Sequence, residues 1–241
     1  MIVNSKFVFI HLHKSAGTFF NRFIVEFFPD SLLIGYHYPN RLVPAEFSHL
    51  PVLGLVRNPW DFYVSWYSFQ MQKQGSNPLF MVVSKRKTLG FNDTMERLLA
   101  LCDDQLLLND VTKLLPNHFT TSGMNVPSSV MASIYGSRLG FYGFLYNWMY
   151  EGGTNQPSII KTEAITPGLA TFYKNIHIPF GADMLRYLAQ QTHLNTSSHQ
   201  HYASHYHDRI AEKVLLADSA IITKHGYRFE RVSPNGDRRT T

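Results

Sequence analysis

The chain has little cysteine: Cys102 is the only one among its 241 residues. No intramolecular disulfide can form, so a reducing, cytoplasmic setting is expected. Cys102 ends the apolar run Leu98-Leu99-Ala100-Leu101-Cys102, which suits a buried structural thiol better than a nucleophile. No stretch reaches the ~18 to 20 continuous apolar residues that cross a bilayer, so no membrane span is expected. Met1 to Lys6 leads directly into a strand-like segment, and no cleavable leader is expected. Long basic runs are missing too. The densest is Lys85-Arg86-Lys87, while Arg238-Arg239 stands in a polar stretch, 233–241, expected to fray as a tail. The formal charge of +5 therefore points to an anionic small ligand rather than to nucleic acid, for which no recognisable module is present. Internal repeats and low-complexity tracts are absent.

What is present is a large apolar fraction, 44%, enough to build a sizeable core in a single domain expected over 1–232. Lys6 to Leu12 reads as a short apolar strand, after which Phe19, Phe20, Phe23, Ile24 and Phe27 recur at helical spacing up to Pro29. Leu32 to Ile34 and Val52 to Val56 are further strands, the latter bounded by Pro51 and Pro59. A helix is expected from about Asp61, placed to cap it, with Phe62, Trp66 and Phe69 on one side. Asn92 to Leu115 reads as helical in one or two pieces, and Pro116 to Ser137 as a long irregular excursion. Ser158 to Ile160 is a late strand, Ala182 to Gln191 an amphipathic helix, and Asp208 to Lys224 a longer helix closed by Gly226. Strands alternating with helices predict an α/β, P-loop-like three-layer fold, with a central mainly parallel sheet flanked by helices. Ligands in such sheets sit at the carboxyl ends of the strands.

Two loops fall at that edge. The first is His13-Lys14-Ser15-Ala16-Gly17-Thr18, between a strand and a helix. A helix N-terminus leaves backbone N–H groups without internal acceptors, and its dipole favours an anion there. Gly17 permits close backbone approach, the Thr18 hydroxyl can cap the helix or meet a phosphate oxygen, and Lys14 adds a full charge. The bland alternative is a capped helix beside a solvated lysine. The loop is not a Walker A sequence, since Lys14 precedes Gly17 rather than following the glycines. The second loop is Arg57-Asn58-Pro59, where the chain turns as a guanidinium reaches the sheet edge. Ser65 follows eight residues on, about two helical turns away.

Arg57-Asn58-Pro59-Trp60-Asp61-Phe62-Tyr63-Val64-Ser65 resembles the 3′-phosphate motif of sulfotransferases that use 3′-phosphoadenosine 5′-phosphosulfate (PAPS), and residues 13–18 resemble that family's 5′-phosphosulfate loop. Fainter similarity continues at Ile159-Ile160-Lys161-Thr162-Glu163 and at Gly226-Tyr227-Arg228-Phe229, whereas roughly 75–155 match nothing in the family. The order and spacing fit its compact bacterial and carbohydrate branches. Two departures stand out: Phe62 occupies a position where many relatives carry arginine, and the Arg-Lys-Gly segment of animal cytosolic members has no counterpart.

The resemblance implies transfer of the sulfuryl group from PAPS to a hydroxyl, less often an amine, of a small metabolite or saccharide, leaving 3′-phosphoadenosine 5′-phosphate (PAP). It implies that Lys14 neutralises the bridging oxygen. His13, Ser15, Ala16, Gly17 and Thr18 would surround the 5′-phosphate, Phe19 would stack on adenine or pack in the core, and Arg57 and Ser65 would hold the 3′-phosphate. No metal is required. A general base with a pKa near neutrality is wanted, and histidine is the usual choice. His37, in Gly35-Tyr36-His37-Tyr38-Pro39, takes a place like that of the catalytic histidine in carbohydrate 2-O-sulfotransferases; His11, His13 and Glu46 are the alternatives. His199, His201, His205 and His207 form the densest histidine group, but no carboxylate lies between His201 and His205. A loop closing over the nucleotide, with Tyr202 or His201 near the purine, is expected there rather than a metal site. The other class with this strand-loop-helix logic is a P-loop-like kinase or nucleotide-binding protein, which needs a strand-terminal carboxylate for magnesium. The acceptor and the oligomeric state are not legible.

Overall fold

The structure, a computed structural model, describes residues 1–75, 77–120, 123–191, 201–232 and 238–240. In chain order its elements are β1 (Ile2–Val3), β2 (Val8–Ile10), α1 (Gly17–Phe27), β3 (Leu32–Leu33), β4 (Val52–Val56), α2 (Pro59–Gln72), α3 (Pro78–Val83), α4 (Phe91–Leu99), α5 (Gln105–Thr112) and α6 (Ser128–Ala132). There follow α7 (Phe141–Tyr150), β5 (Ser158–Lys161), α8 (Ile165–Asn175), α9 (Ala182–Gln191), α10 (Asp208–Ala217), α11 (Ser219–His225), β6 (Glu230–Val232) and β7 (Arg238–Thr240). The chain divides into two compact units: Met1–Arg57 with Tyr146–Ser198, and Asn58–Leu145 with His199–Thr241.

The first unit holds a five-stranded sheet in the order β3-β1-β2-β4-β5. β2, β4 and β5 are parallel, but β1 is antiparallel to both of its neighbours. The sheet is therefore mixed, not mainly parallel as expected. The connection from Val3 to Val8 explains it. Asn4 turns the chain within a few residues, its side-chain oxygen accepting the N–H groups of Lys6 and Phe7 at 2.8 and 3.0 Å. A link that short closes a hairpin, whereas a parallel crossover needs a dozen residues or more.

One face of this sheet carries the core. Phe7, Phe9, Leu53 and Leu55 pack with Phe19, Phe20, Phe23 and Ile24 of α1, Leu169, Phe172 and Tyr173 of α8, and Leu188 of α9. Each fully buried phenylalanine contributes roughly 1.5–3 kcal/mol, so the aromatic stripe read from the sequence is what fixes α1 to the sheet. Strand alternation turns Gly54 to the other face, where a Cβ would fall 2.4 Å from the Tyr150 ring of α7. The Tyr150 hydroxyl donates to Leu55 O at 2.7 Å and accepts from Leu55 N at 2.9 Å. Helices thus flank both faces.

The second unit is mostly helical. Its α2 begins at Pro59, two residues before the expected start, because Asn58 and not Asp61 is the cap. Phe62 is fully buried and stacks on Tyr142 at 4.0 Å, so aromatic packing stands where an arginine was looked for. The excursion 116–137 contains the short α6. The single late helix expected over 208–224 is two, α10 and α11, broken at Asp218. The carboxyl of Asp218 turns inward, accepting from Tyr63 Oη at 2.7 Å and Gly143 N at 2.7 Å. Gly226, at φ 62°, closes α11 as expected. Within the stretch expected to fray, 238–240 form β7 and pair antiparallel with β6; 233–237 and 241 lie outside the described residues. Among the described residues no helix is long and apolar enough to cross a membrane.

Candidate functional site

β2 ends at Ile10 and the chain reaches α1 through His11 to Ala16. Two residues of this loop, Lys14 at φ 54° and Ala16 at φ 55°, are left-handed without being glycine. Such a conformation costs roughly 1–2 kcal/mol per residue, and an alternating backbone of this kind turns successive N–H groups toward one concavity. Ala16 is the N-cap of α1, and no side chain caps the helix. No acidic residue lies in its first turn either. Thr18, on that first turn, is exposed, so it is not the cap that the sequence allowed. Ser15 is fully buried and its hydroxyl donates to His13 O at 3.3 Å, which spends that group on the loop itself.

Gly17 is required here by its neighbour rather than by its own φ. A Cβ at that position would fall 1.8 Å from Cδ2 and Nε2 of His11. Phe19 is 9% exposed and packs in the core, stacked 6.2 Å from Tyr187 of α9.

Arg57 follows β4, the parallel neighbour of β2. Its Nη1 donates to the carbonyl of Lys14 at 3.2 Å, so the two loops, expected to hold anionic groups at separate places, meet. Burial, and secondarily the Arg57 charge, lower the Lys14 ammonium to about 8. Each cation makes the other costlier.

His37 follows β3 and is also left-handed, at φ 54°. Its Nδ1 lies 2.8 Å from His11 O. A carbonyl only accepts, so Nδ1 carries the hydrogen and the neutral ring keeps its lone pair on Nε2. The ring stacks on His13 at 3.7 Å and 12°, and lies 4.4 Å from the His11 ring. Tyr36 sits edge-on to both His11 and His37, at 5.1 and 4.3 Å. All three imidazoles are buried. Burial first, then the charge of His13, holds His11 at about 3 and His37 well below the usual histidine value. Both rings are therefore neutral at neutral pH.

The first unit thus gathers His13, Lys14, Ser15, Ala16, Gly17, His37 and Arg57, with His11 as an added member. Ser65 belongs to the second unit, buried on α2. Glu46 is exposed on a 3-10 turn. Of the late histidines, His199 lies outside the described residues; His201 accepts from Ala203 N at 3.4 Å, and His205 packs on Phe91. Tyr202 is buried, its hydroxyl accepting from Glu230 N at 2.8 Å. Cys102 is half-buried, and burial raises its thiol. The sequence did hold a signal for His11. His11 and His13 flank the first loop in the sequence and were alternatives to His37 as base.

In comparisons with known proteins, no family model, no curated protein and no solved structure matches the chain.

Proposed function

We propose that this protein is a PAPS-dependent sulfotransferase acting on a hydroxyl of a small metabolite or saccharide. One observation carries the reading: two cations, Lys14 and Arg57, are held together at a strained loop that opens a helix with no side-chain cap. A bound anion would offset their mutual repulsion and accept the first N–H groups of α1. The resemblance of the Lys14 and Arg57 loops to the family's two phosphate motifs then selects which anion.

In this reading the 5′-phosphosulfate lies over Gly17 and Thr18 beside Lys14. An acceptor hydroxyl attacks sulfur in line as the bond from sulfur to the bridging oxygen breaks. Lys14 neutralises the charge that builds on the leaving 5′-phosphate. The hydroxyl proton passes to Nε2 of His37, whose Nδ1–H stays on the carbonyl of His11. Burial keeps the His37 ring neutral at rest but also lowers its proton affinity below that of the near-neutral base expected, so the negative charge of the bound phosphosulfate would have to offset that cost when the proton arrives. Arg57 has five N–H donors, one of them on Lys14 O, and takes the 3′-phosphate with others. The part of Ser65 rests on the resemblance alone. With its lone cysteine, the protein belongs in a reducing compartment.

Calorimetry with PAP tests the proposal. Tight binding is expected, weakened by ~2 kcal/mol or more, about thirtyfold, in Arg57→Ala. ATP binding as tight as PAP binding would sink it in favour of a kinase-like nucleotide protein.

A further inference from the structure

The mechanism above uses His37, Lys14 and the main-chain carbonyl of His11 but leaves the His11 ring without a task, and the setting of that ring is odd for a core residue. The ring is 4% exposed and its Nδ1 has no hydrogen-bond partner among the described residues. An apolar ring of that size would avoid the cost of an unsatisfied buried nitrogen, about 1–3 kcal/mol. Yet His11 touches both halves of the site. Its carbonyl accepts from His37 Nδ1 at 2.8 Å, and its ring fills the space that a side chain at position 17 would need. His37 is held in a left-handed conformation that a non-glycine residue adopts only when its surroundings impose it. The surroundings here are the His11 carbonyl on one side and the stacked His13 ring on the other.

We propose that His11 is a positioning residue: its carbonyl fixes His37 in the Nδ1–H form with Nε2 as the acceptor, and its ring, seated against Gly17, locks that orientation to the phosphate loop. The arrangement follows the logic of a base oriented by a third group, with a main-chain carbonyl in place of a carboxylate. It also links the two events of the reaction. The loop that receives the leaving phosphate and the base that receives the proton rest on one residue. The inference depends on the proposed role of His37 as base.

Nitrogen-15 NMR of the histidine rings in the full chain near neutral pH tests it, together with turnover. The wild-type protein is expected to show His37 protonated on Nδ1. In His11→Ala the ring support is gone, and a mixed His37 tautomer with turnover reduced about tenfold or more is expected. The main-chain carbonyl is kept in both variants, but His11→Phe also keeps the ring bulk and should restore both readouts to within about threefold. A purely structural His11 would lower the melting temperature of His11→Ala and leave tautomer and turnover alone, which overturns the inference. Should the alanine variant fail to fold, His11→Val takes its place with the same two readouts: a mixed His37 tautomer with reduced turnover supports the inference, and Nδ1–H with turnover retained overturns it. Wild-type His37 protonated on Nε2, with PAP binding and sulfuryl transfer intact, overturns this inference and leaves the sulfotransferase reading standing, whereas absence of PAP binding and of transfer overturns that reading and the inference with it.

Discussion

Two helices start at the carboxyl ends of adjacent parallel strands, and they start in opposite ways. α2 is completed by its own chain. Asn58 accepts the N–H groups of Trp60 and Asp61 at 3.0 and 3.5 Å, Pro59 removes one donor, and Asp61 places a negative charge in the first turn. α1 has none of these features: its N-cap is a left-handed alanine, and the nearest charge is the cation Lys14. The same strand-turn-helix plan is finished for stability at one end and left for an incoming anion at the other. Substitutions at Asn58 should therefore move folding, and those around Lys14 should move binding and turnover.

The largest separation is expected at Lys14. Lys14→Ala should cut sulfuryl transfer by about 10²- to 10³-fold, the usual loss when one stabilising group is removed from a developing anion. Melting temperature should not fall, because the variant also relieves repulsion with Arg57. Transfer at the wild-type rate would show that the α1 end is not the reacting end.

Acid separates the two regions next. The buried His11 and His37 stay neutral when folded, but a histidine in the unfolded chain titrates near 6.5. As pH falls below about 6.5 the unfolded state takes up protons that the folded state refuses, so each ring removes about 1.4 kcal/mol per pH unit. Their contribution is complete above that pH. Asp218, in the other unit, has the opposite sign: burial pushes its carboxyl up to about 7, so its contribution is full below the ordinary carboxyl value near 3.8 and is lost as pH rises through 7. The two histidines, joined by the Met1 ammonium that burial holds at about 5, outweigh one carboxyl and leave a net loss of stability as pH falls from 6 to 5. Urea midpoints across that range should fall with acid, and more steeply in Asp218→Asn. Midpoints that rise with acid would mean that the imidazoles take up protons while the chain is folded.

Gly17→Ala sharpens the contrast by its sign. Alanine inside a helix ordinarily gains up to about 1 kcal/mol over glycine. Here its Cβ would meet the His11 ring at 1.8 Å, and overpacking of this kind costs typically 1–3 kcal/mol. Chemical denaturation should therefore show a loss, relieved in the double variant with His11→Ala because the two sites share one contact. Additive losses would place the His11 ring elsewhere.

Much of this was legible in the residues because periodicity and punctuation are local. Val52 to Val56, bounded by two prolines, is β4 to the residue, and the phenylalanine stripe from Phe19 to Phe27 is the buried face of α1. Long-range choices were not. A lone Ile-Val pair before Asn4 does not announce a strand, so β1 and the mixed sheet went unread. The break at Asp218 depends on Tyr63 and Gly143, residues 155 and 75 positions away, and nothing near Asp218 in sequence marks it. In the site, the loop residues could be named but not their mutual arrangement. That Arg57 would donate to Lys14 O, and that His37 would stack on His13, are properties of backbone conformation.

Removing the cap at Asn58 is expected to have a smaller, purely structural effect. Asn58→Ala should cost about 1 kcal/mol or more in a denaturation experiment and leave PAP affinity within about twofold, since it removes the acceptor of the Trp60 and Asp61 N–H groups and the amide's hydrogen bond with Tyr202. A large loss of PAP affinity with unchanged stability would make the α2 end the anion site and reverse the comparison.

Ala16→Gly offers the smallest effect and the most direct reading of what the α1 end gives up. A left-handed alanine carries roughly 1–2 kcal/mol of strain that glycine does not, while glycine widens the unfolded ensemble by about 0.4–1 kcal/mol. The balance is a gain of about 0.5 kcal/mol in stability, opposite in sign to the loss from Asn58→Ala. If the alanine conformation exists to hold the N–H groups of α1 ready for an anion, the freer glycine should weaken PAP binding as it stabilises the fold. Calorimetry and denaturation on the same sample measure both, and a variant that gains stability without any loss of affinity would reduce the strain at Ala16 to an accident of the turn.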